Sequence, residues 1–201
     1  MDKRVTYSTY GLGSIRMILD GVIWIGRVAA WLTIPILGLV LIGVVLSAAQ
    51  MGIIVRWEAD MFLFGSKLTL ASLGDLQWHL FGIMLMLTMA SALIGDKHVR
   101  VDFLRQHMRE RRRKIVDIIG HLIFLFPLCI ILIIHGYEFT MRSFTLGEGS
   151  DYDGLYDRFV LKAFVPIGFG LLLLAGVGLL IQDLYALFGK GEEKKREKGD
   201  D

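Results

Sequence analysis

The chain has 201 residues, 54% of them hydrophobic and 21% charged, with one cysteine and a formal charge of +2. That apolar share exceeds the roughly 45–50% of soluble domains, so the chain reads as an integral membrane protein with no room for a separate catalytic domain beside its spans. The lone Cys129 sits in an apolar run and excludes a disulfide framework or a Cys-based zinc site, and a charge this small, gathered in a few blocks, does not describe a nucleic-acid binder.

In chain order, Ile15, Ile18, Leu19, Val22 and Ile23 fall at helical spacing with Arg16, Asp20 and Arg27 opposite, which predicts a helix along the membrane surface. Trp24 and Trp31 suit the headgroup belt. An uncharged stretch, 28–55, follows, whose only strongly polar member is Gln50; it is the first predicted span. Ser47-Ala48-Ala49 resembles a signal cleavage site, but the apolar run exceeds the roughly 7–15 residues of a signal core, so a retained span is expected. Trp57, Met61, Phe62, Phe64, Leu68 and Leu70 mix with Glu58, Asp60 and Lys67, which predicts a second surface helix.

The second predicted span is 76–95, where Gln77, His79, Thr88 and Ser91 mark a face turned to protein rather than lipid. The third, 118–137, carries His121, Pro127 and His135, and Asp117 stands one turn before His121, a spacing that lets the two hydrogen-bond. The fourth is 163–182, with Pro166 near its start, where a missing amide hydrogen costs least. Residues 189–201 form a charged tail with nothing to bury, expected to be disordered. The expected fold is therefore an all-α membrane domain over 1–188, with four spans and interfacial amphipathic helices.

Basic residues set an orientation. Seventeen Lys and Arg fall in the N-terminal segment, the loop between the second and third spans, and the tail; five fall in the other two loops. The positive-inside rule then places both termini in the cytoplasm of a multi-pass inner-membrane protein. The block from Arg109 to Lys114 fixes this orientation and meets anionic lipid headgroups. The loop before the fourth span carries Glu148, Asp151, Asp153 and Asp157.

No phosphate-binding loop, metalloprotease helix or nucleophile elbow is present, so the chain is not expected to be an enzyme. Histidines offer an alternative: His79 with His135 near the outer face, and His98 with His121 near the inner face, could ligate two haems in an anchor subunit of a redox complex. Against this, His98 follows Asp96 and Lys97 at the wet membrane edge. A general assembly factor or lipid-binding protein is a third reading. Small residues four apart, Gly43 with Ser47, Ala48 with Gly52, and Ser91 with Gly95, allow close helix contact. The spans carry no deep charge, which argues against a transport pathway within this chain alone.

Several motifs occur in a fixed order. Asp75-Leu76-Gln77-Trp78-His79-Leu80-Phe81 opens the second span and His98-Val99-Arg100-Val101-Asp102 follows it; Ser143, Gly147-Glu148-Gly149-Ser150, Gly154-Leu155, Lys162 and Pro166-Ile167-Gly168-Phe169 come later. Together they resemble the small permease subunit of tripartite ATP-independent periplasmic (TRAP) transporters, the DctQ-like family. Asp75 stands where that pattern has Glu, and Gly154 is what remains of a Gly pair. The resemblance implies a scaffold for a large multi-span permease subunit that binds sodium and a carboxylate delivered by a periplasmic binding protein, and the branch it resembles most is one for mannitol, chloroaromatic or 2-oxoacid uptake. It implies no cofactor on this chain. Trp78, His79, His98, Arg100, Asp102, Gly147, Glu148, Ser150, Lys162 and Pro166 are the implied motif or interface residues.

Overall fold

The computed structural model describes residues 13–95, 110–150 and 154–196. Helices α1 (Gly13–Ala30) and α2 (Thr33–Ala48) lead into strands β1 (Ile53–Met61) and β2 (Gly65–Thr69), then α3 (Leu70–Ile94). Helix α4 (Glu110–Gly120) passes through a π-helical turn (His121–Leu125) into α5 (Phe126–Leu146), and α6 (Phe159–Arg196) ends the fold. Among the described residues, four segments are long and apolar enough to cross a membrane: Gly13–Ala48, Leu70–Ile94, Arg112–Leu146 and Phe159–Leu187. The expected all-α, four-span membrane architecture is thus present.

Prolines explain the irregularities within these segments. Pro35 has no amide hydrogen to give the Trp31 carbonyl, which instead accepts from the Ile34 amide at 3.1 Å, tightening the turn between α1 and α2. Pro127 likewise cannot donate one turn back, and the chain widens just before it, with the Phe126 amide reaching the His121 carbonyl. Pro166 lies inside α6 rather than at its start, because the helix begins at Phe159, before the apolar run.

Several local expectations are changed by the structure. Residues 15–27 form a helix of their own, as their periodicity predicts, and this helix α1 packs along α3 and α6, burying Leu19, Val22, Gly26 and Ala29. The apolar side of that periodic pattern finds protein. The segment from Trp57 to Leu70 is not a surface helix but mostly a hairpin, with β1 antiparallel to β2 and Ile53 opposite Thr69, Arg56 opposite Lys67 and Met61 opposite Gly65. Ile53, Ile54 and Val55 are β-branched and belong to β1, so the first helix ends at Ala48 rather than running to 55. Gly65 at φ +60° turns the hairpin. The helix of α6 continues to Arg196, past the predicted start of the tail.

Close contacts fix helix directions. Gly26 meets Ser91, Thr33 Oγ1 donates to the Met84 sulfur at 3.3 Å, and Gly43 meets Gln77. Rising numbers on α1 and α2 meet falling ones on α3, so the pair is antiparallel. Gly82 meets Leu161, and Gly168 meets Met86; α3 and α6 run parallel. Gly136 meets Pro166, and Gly176 meets Leu125 and Phe126, so α5 is antiparallel to α6. The helices stand in a row, α2, α3, α6, α5, with α1 against both central members. Val22, Ala90, Leu93, Cys129, Leu172 and Ala175 form the core, while α2 buries no residue and presents its apolar surface outward.

Candidate functional site

The polar chemistry of the described chain gathers at the pole where α3 begins, α5 ends and α6 begins. Thr69 opens α3 in extended geometry, accepting at Oγ1 from the Ser72 amide (3.1 Å), while its own amide donates to Ser72 Oγ (3.2 Å). This reciprocal cap satisfies amides that a helix start leaves open. Two turns of chemistry follow. One carboxylate oxygen of Asp75 accepts from the Leu155 amide (3.2 Å) and from Arg158 Nη2 (3.5 Å), so the loop before α6 is fastened to α3. Gly154 is required beside it, because a Cβ there would overlap both the Asp75 carboxylate and Ser150 Oγ.

A second fastening joins α5 to α6. Gly147 ends α5 in the left-handed region (φ 59°, ψ 43°), a conformation that costs glycine little. The reversal lets the Glu148 amide donate to the Ser143 carbonyl (3.2 Å), and it brings the Glu148 carboxylate onto Ser143 Oγ–H (2.8 Å) and the Lys162 ammonium. Lys162 also lies 3.9 Å from the centroid of the Phe139 ring, a cation–π contact. Phe144 meets Phe159 edge to face at 5.1 Å.

The hairpin is tied to the same loop. The Tyr156 amide donates to the Leu63 carbonyl (2.9 Å), the Ser150 amide to the Leu155 carbonyl (3.0 Å) and the Arg158 amide to the Glu148 carbonyl (3.1 Å). The Tyr156 ring packs against Gly65, and Trp57 Nε1 donates to the Gly65 carbonyl. A two-stranded hairpin is marginal by itself; here the loop between α5 and α6 holds its tip. The result is a cap cross-braced by the Asp75–Arg158 and Glu148–Lys162 pairs.

Residues 51–185 match the family described as Tripartite ATP-independent periplasmic transporters, DctQ component. The chain belongs to the DctQ family. DctQ proteins are non-catalytic transport subunits, so this one is a membrane transport component rather than an enzyme. No curated protein and no solved structure matches the chain.

The fold draws together four of the predicted motif residues of this DctQ chain: Gly147, Glu148, Ser150 and Lys162 share the cap. Pro166 lies apart from them, packed on Gly136 between α5 and α6. His79 is buried on the side of α3 that carries Asp75, Gly82 and Met86, and donates Nδ1–H to the Asp75 carbonyl (2.7 Å). His135, its partner in the alternative haem reading, is exposed and contacts Glu138 on its own helix (3.2 Å), so the two are not brought together. Trp78 faces outward, 71% exposed, with its ring edge-on to Phe81. His98, Arg100 and Asp102 lie outside the described residues. Sequence reasoning missed Arg158 and the Leu155 amide as partners of Asp75, because only the parallel register of α3 and α6 brings them together.

The Lys162 ammonium, and next the Ser143 hydroxyl, hold the Glu148 carboxyl below the ordinary carboxylate range. A lowered acid stabilises the fold above its ordinary range, near pH 4.3, and ceases to do so as pH falls through the lowered value. The thermal midpoint of wild type should therefore exceed that of Glu148→Gln by a constant amount from about pH 8 to pH 5, with the gap closing only in stronger acid. A gap that closes already near neutral pH would rule out the carboxylate as the source.

Proposed function

We propose that this DctQ subunit is the fixed frame of a sodium-coupled TRAP transporter, holding a large permease subunit that binds sodium and a carboxylate, with a 2-oxoacid as the candidate substrate. Family membership supports this reading, and one structural observation carries the frame: the cap braces α3, α5 and α6 through Asp75–Arg158 and Glu148–Lys162. A part that stays still while its partner moves needs such bracing, and an apolar helix surface for the membrane. The basic residues support an inner-membrane orientation with both termini in the cytoplasm, which puts the cap on the periplasmic side, where a binding protein delivers substrate. In that setting Arg100 and Asp102 anchor the inner end of the second span.

Glu148 is occupied by Lys162 and Ser143, so the docking role within the acidic loop is assigned to Asp151, Asp153 and Asp157, of which Asp151 and Asp153 lie outside the described residues. Reconstitution tests both levels. The chain should co-purify one-to-one with a large multi-span subunit, and sodium-driven uptake should require both membrane subunits and the binding protein. Asn at 151, 153 and 157 together should lower uptake severalfold at unchanged complex yield. Full uptake by the large subunit alone would end the frame reading, and unchanged uptake by the triple variant would remove the loop from docking. Native mass spectrometry of the same preparation would expose a bound haem, the outcome that favours a redox anchor.

A further inference from the structure

We propose that the outward face of α4 and the π turn binds an anionic phospholipid, with its phosphate at Arg112 and Arg113 and its acyl chains along Val116, Ile119 and Ile123. The inference stands apart from the transport reading. Arg112 and Arg113 are exposed and Lys114 is half-buried, and none of the three makes an ion pair among the described residues.

Below this crown runs a stripe. Arg112, Val116, Ile119 and Ile123 follow at intervals of four, three and four residues, the spacing of one helix face. His121, nine residues from Arg112 and so on the opposite side, is buried, and α4 packs against α6. The stripe points away: Val116 is 52%, Ile119 46% and Ile123 60% exposed. At 1.5 Å per residue, the distance from Arg112 to Ile123 is about 16 Å, matching one leaflet of a hydrocarbon core about 30 Å thick.

Charge complementarity selects the occupant. A cationic crown over an apolar stripe one leaflet long is complementary to an amphiphile with an anionic head, whereas free phosphate would gain nothing from the stripe and a purely apolar helix nothing from the crown. Guanidinium groups also suit phosphate oxygens, which accept paired N–H donors.

The test uses the full chain purified in mild detergent and titrated with phosphatidylglycerol or phosphatidylcholine of identical acyl chains, bound lipid being read by native mass spectrometry. Wild type should prefer phosphatidylglycerol by on the order of tenfold, the scale expected of two cations at an anionic surface. Arg112→Gln with Arg113→Gln should reduce that preference to near unity, Lys at both positions should retain most of it, and Val116→Ser with Ile119→Ser should weaken retention of both lipids. Equal retention of the two lipids by wild type, or an unchanged preference in the double Gln variant, would overturn the proposal. So would release of bound phosphatidylglycerol when the large permease subunit assembles, since protein would then cover this face. These readouts need only this chain for the primary comparison, so their failure leaves the frame reading standing.

Discussion

Gly168→Val should abolish recovery of folded, monodisperse chain, while Gly170→Ala, one dipeptide further along α6, should purify as wild type does. The difference lies in what each side chain would meet. A Cβ at Gly168 would stand 2.8 Å from both Cβ and the carbonyl oxygen of Met86 on α3. A backbone carbonyl inside a helix cannot swing aside as a flexible side chain can, so α3 and α6 must separate along their contact. Overpacking of a closely fitted interior costs about 1–3 kcal/mol and sometimes more; at a backbone-to-backbone contact between the two central helices we expect the upper end, about 3 kcal/mol. At Gly170 nothing lies within 4 Å of an added Cβ, and Ala is the better helix former by roughly 1 kcal/mol. Size-exclusion profiles and thermal midpoints in one detergent check the pair. Matching behaviour of the two variants would mean that α3 and α6 do not approach at Met86.

What the sequence makes legible follows from which interactions are local. Runs of apolar residues announce spans because a bilayer requires about 20 of them in succession, and the four segments stand where those runs lie. Their ends are less legible, since α6 gathers Phe159, Leu161 and Lys162 before its apolar run and α5 continues through Arg142 to the Gly147 reversal. The hairpin was hidden for a related reason. Ile53, Ile54 and Val55 extend an uncharged run without a break, so length favoured a helix, although their β-branching and the alternation of Arg56 and Glu58 with Trp57 carried the opposite signal.

The cap shows the same limit more sharply. Glu148 and Lys162 are 14 residues apart and both belong to the family pattern, so they could be named; that they touch depends on the turn at Gly147. Asp75 and Arg158 are 83 residues apart. No periodicity in either segment reports the other, and their meeting requires the parallel arrangement of α3 and α6. The N-terminal amphipathic pattern was legible as a helix but not as a packed one, because an apolar side toward protein and an apolar side toward lipid read alike.

Asp75→Ala should loosen the loop between α5 and α6 more than any other single change at the cap. The reason is the Leu155 amide. Leu155 is fully buried, and its N–H donates to the Asp75 carboxylate; removing that acceptor leaves a buried donor open, which costs about 1–3 kcal/mol. Arg158, 38% exposed at its side chain, loses an ion pair as well, but solvent screening leaves that contribution small. Asp75→Asn separates the two effects, since its amide oxygen can still accept from Leu155 while its charge is gone. Hydrogen exchange should therefore show peptides across 154–160 exchanging roughly tenfold faster or more in the Ala variant, the kinetic equivalent of about 1.4 kcal/mol, and only slightly faster in the Asn variant. Because the Tyr156 amide ties this loop to Leu63, peptides covering the hairpin tip should loosen in step with it. Equal exchange in Ala and Asn variants would assign the fastening to charge alone, and protection unchanged in both would show that the loop is held by the Glu148–Lys162 brace without help from α3.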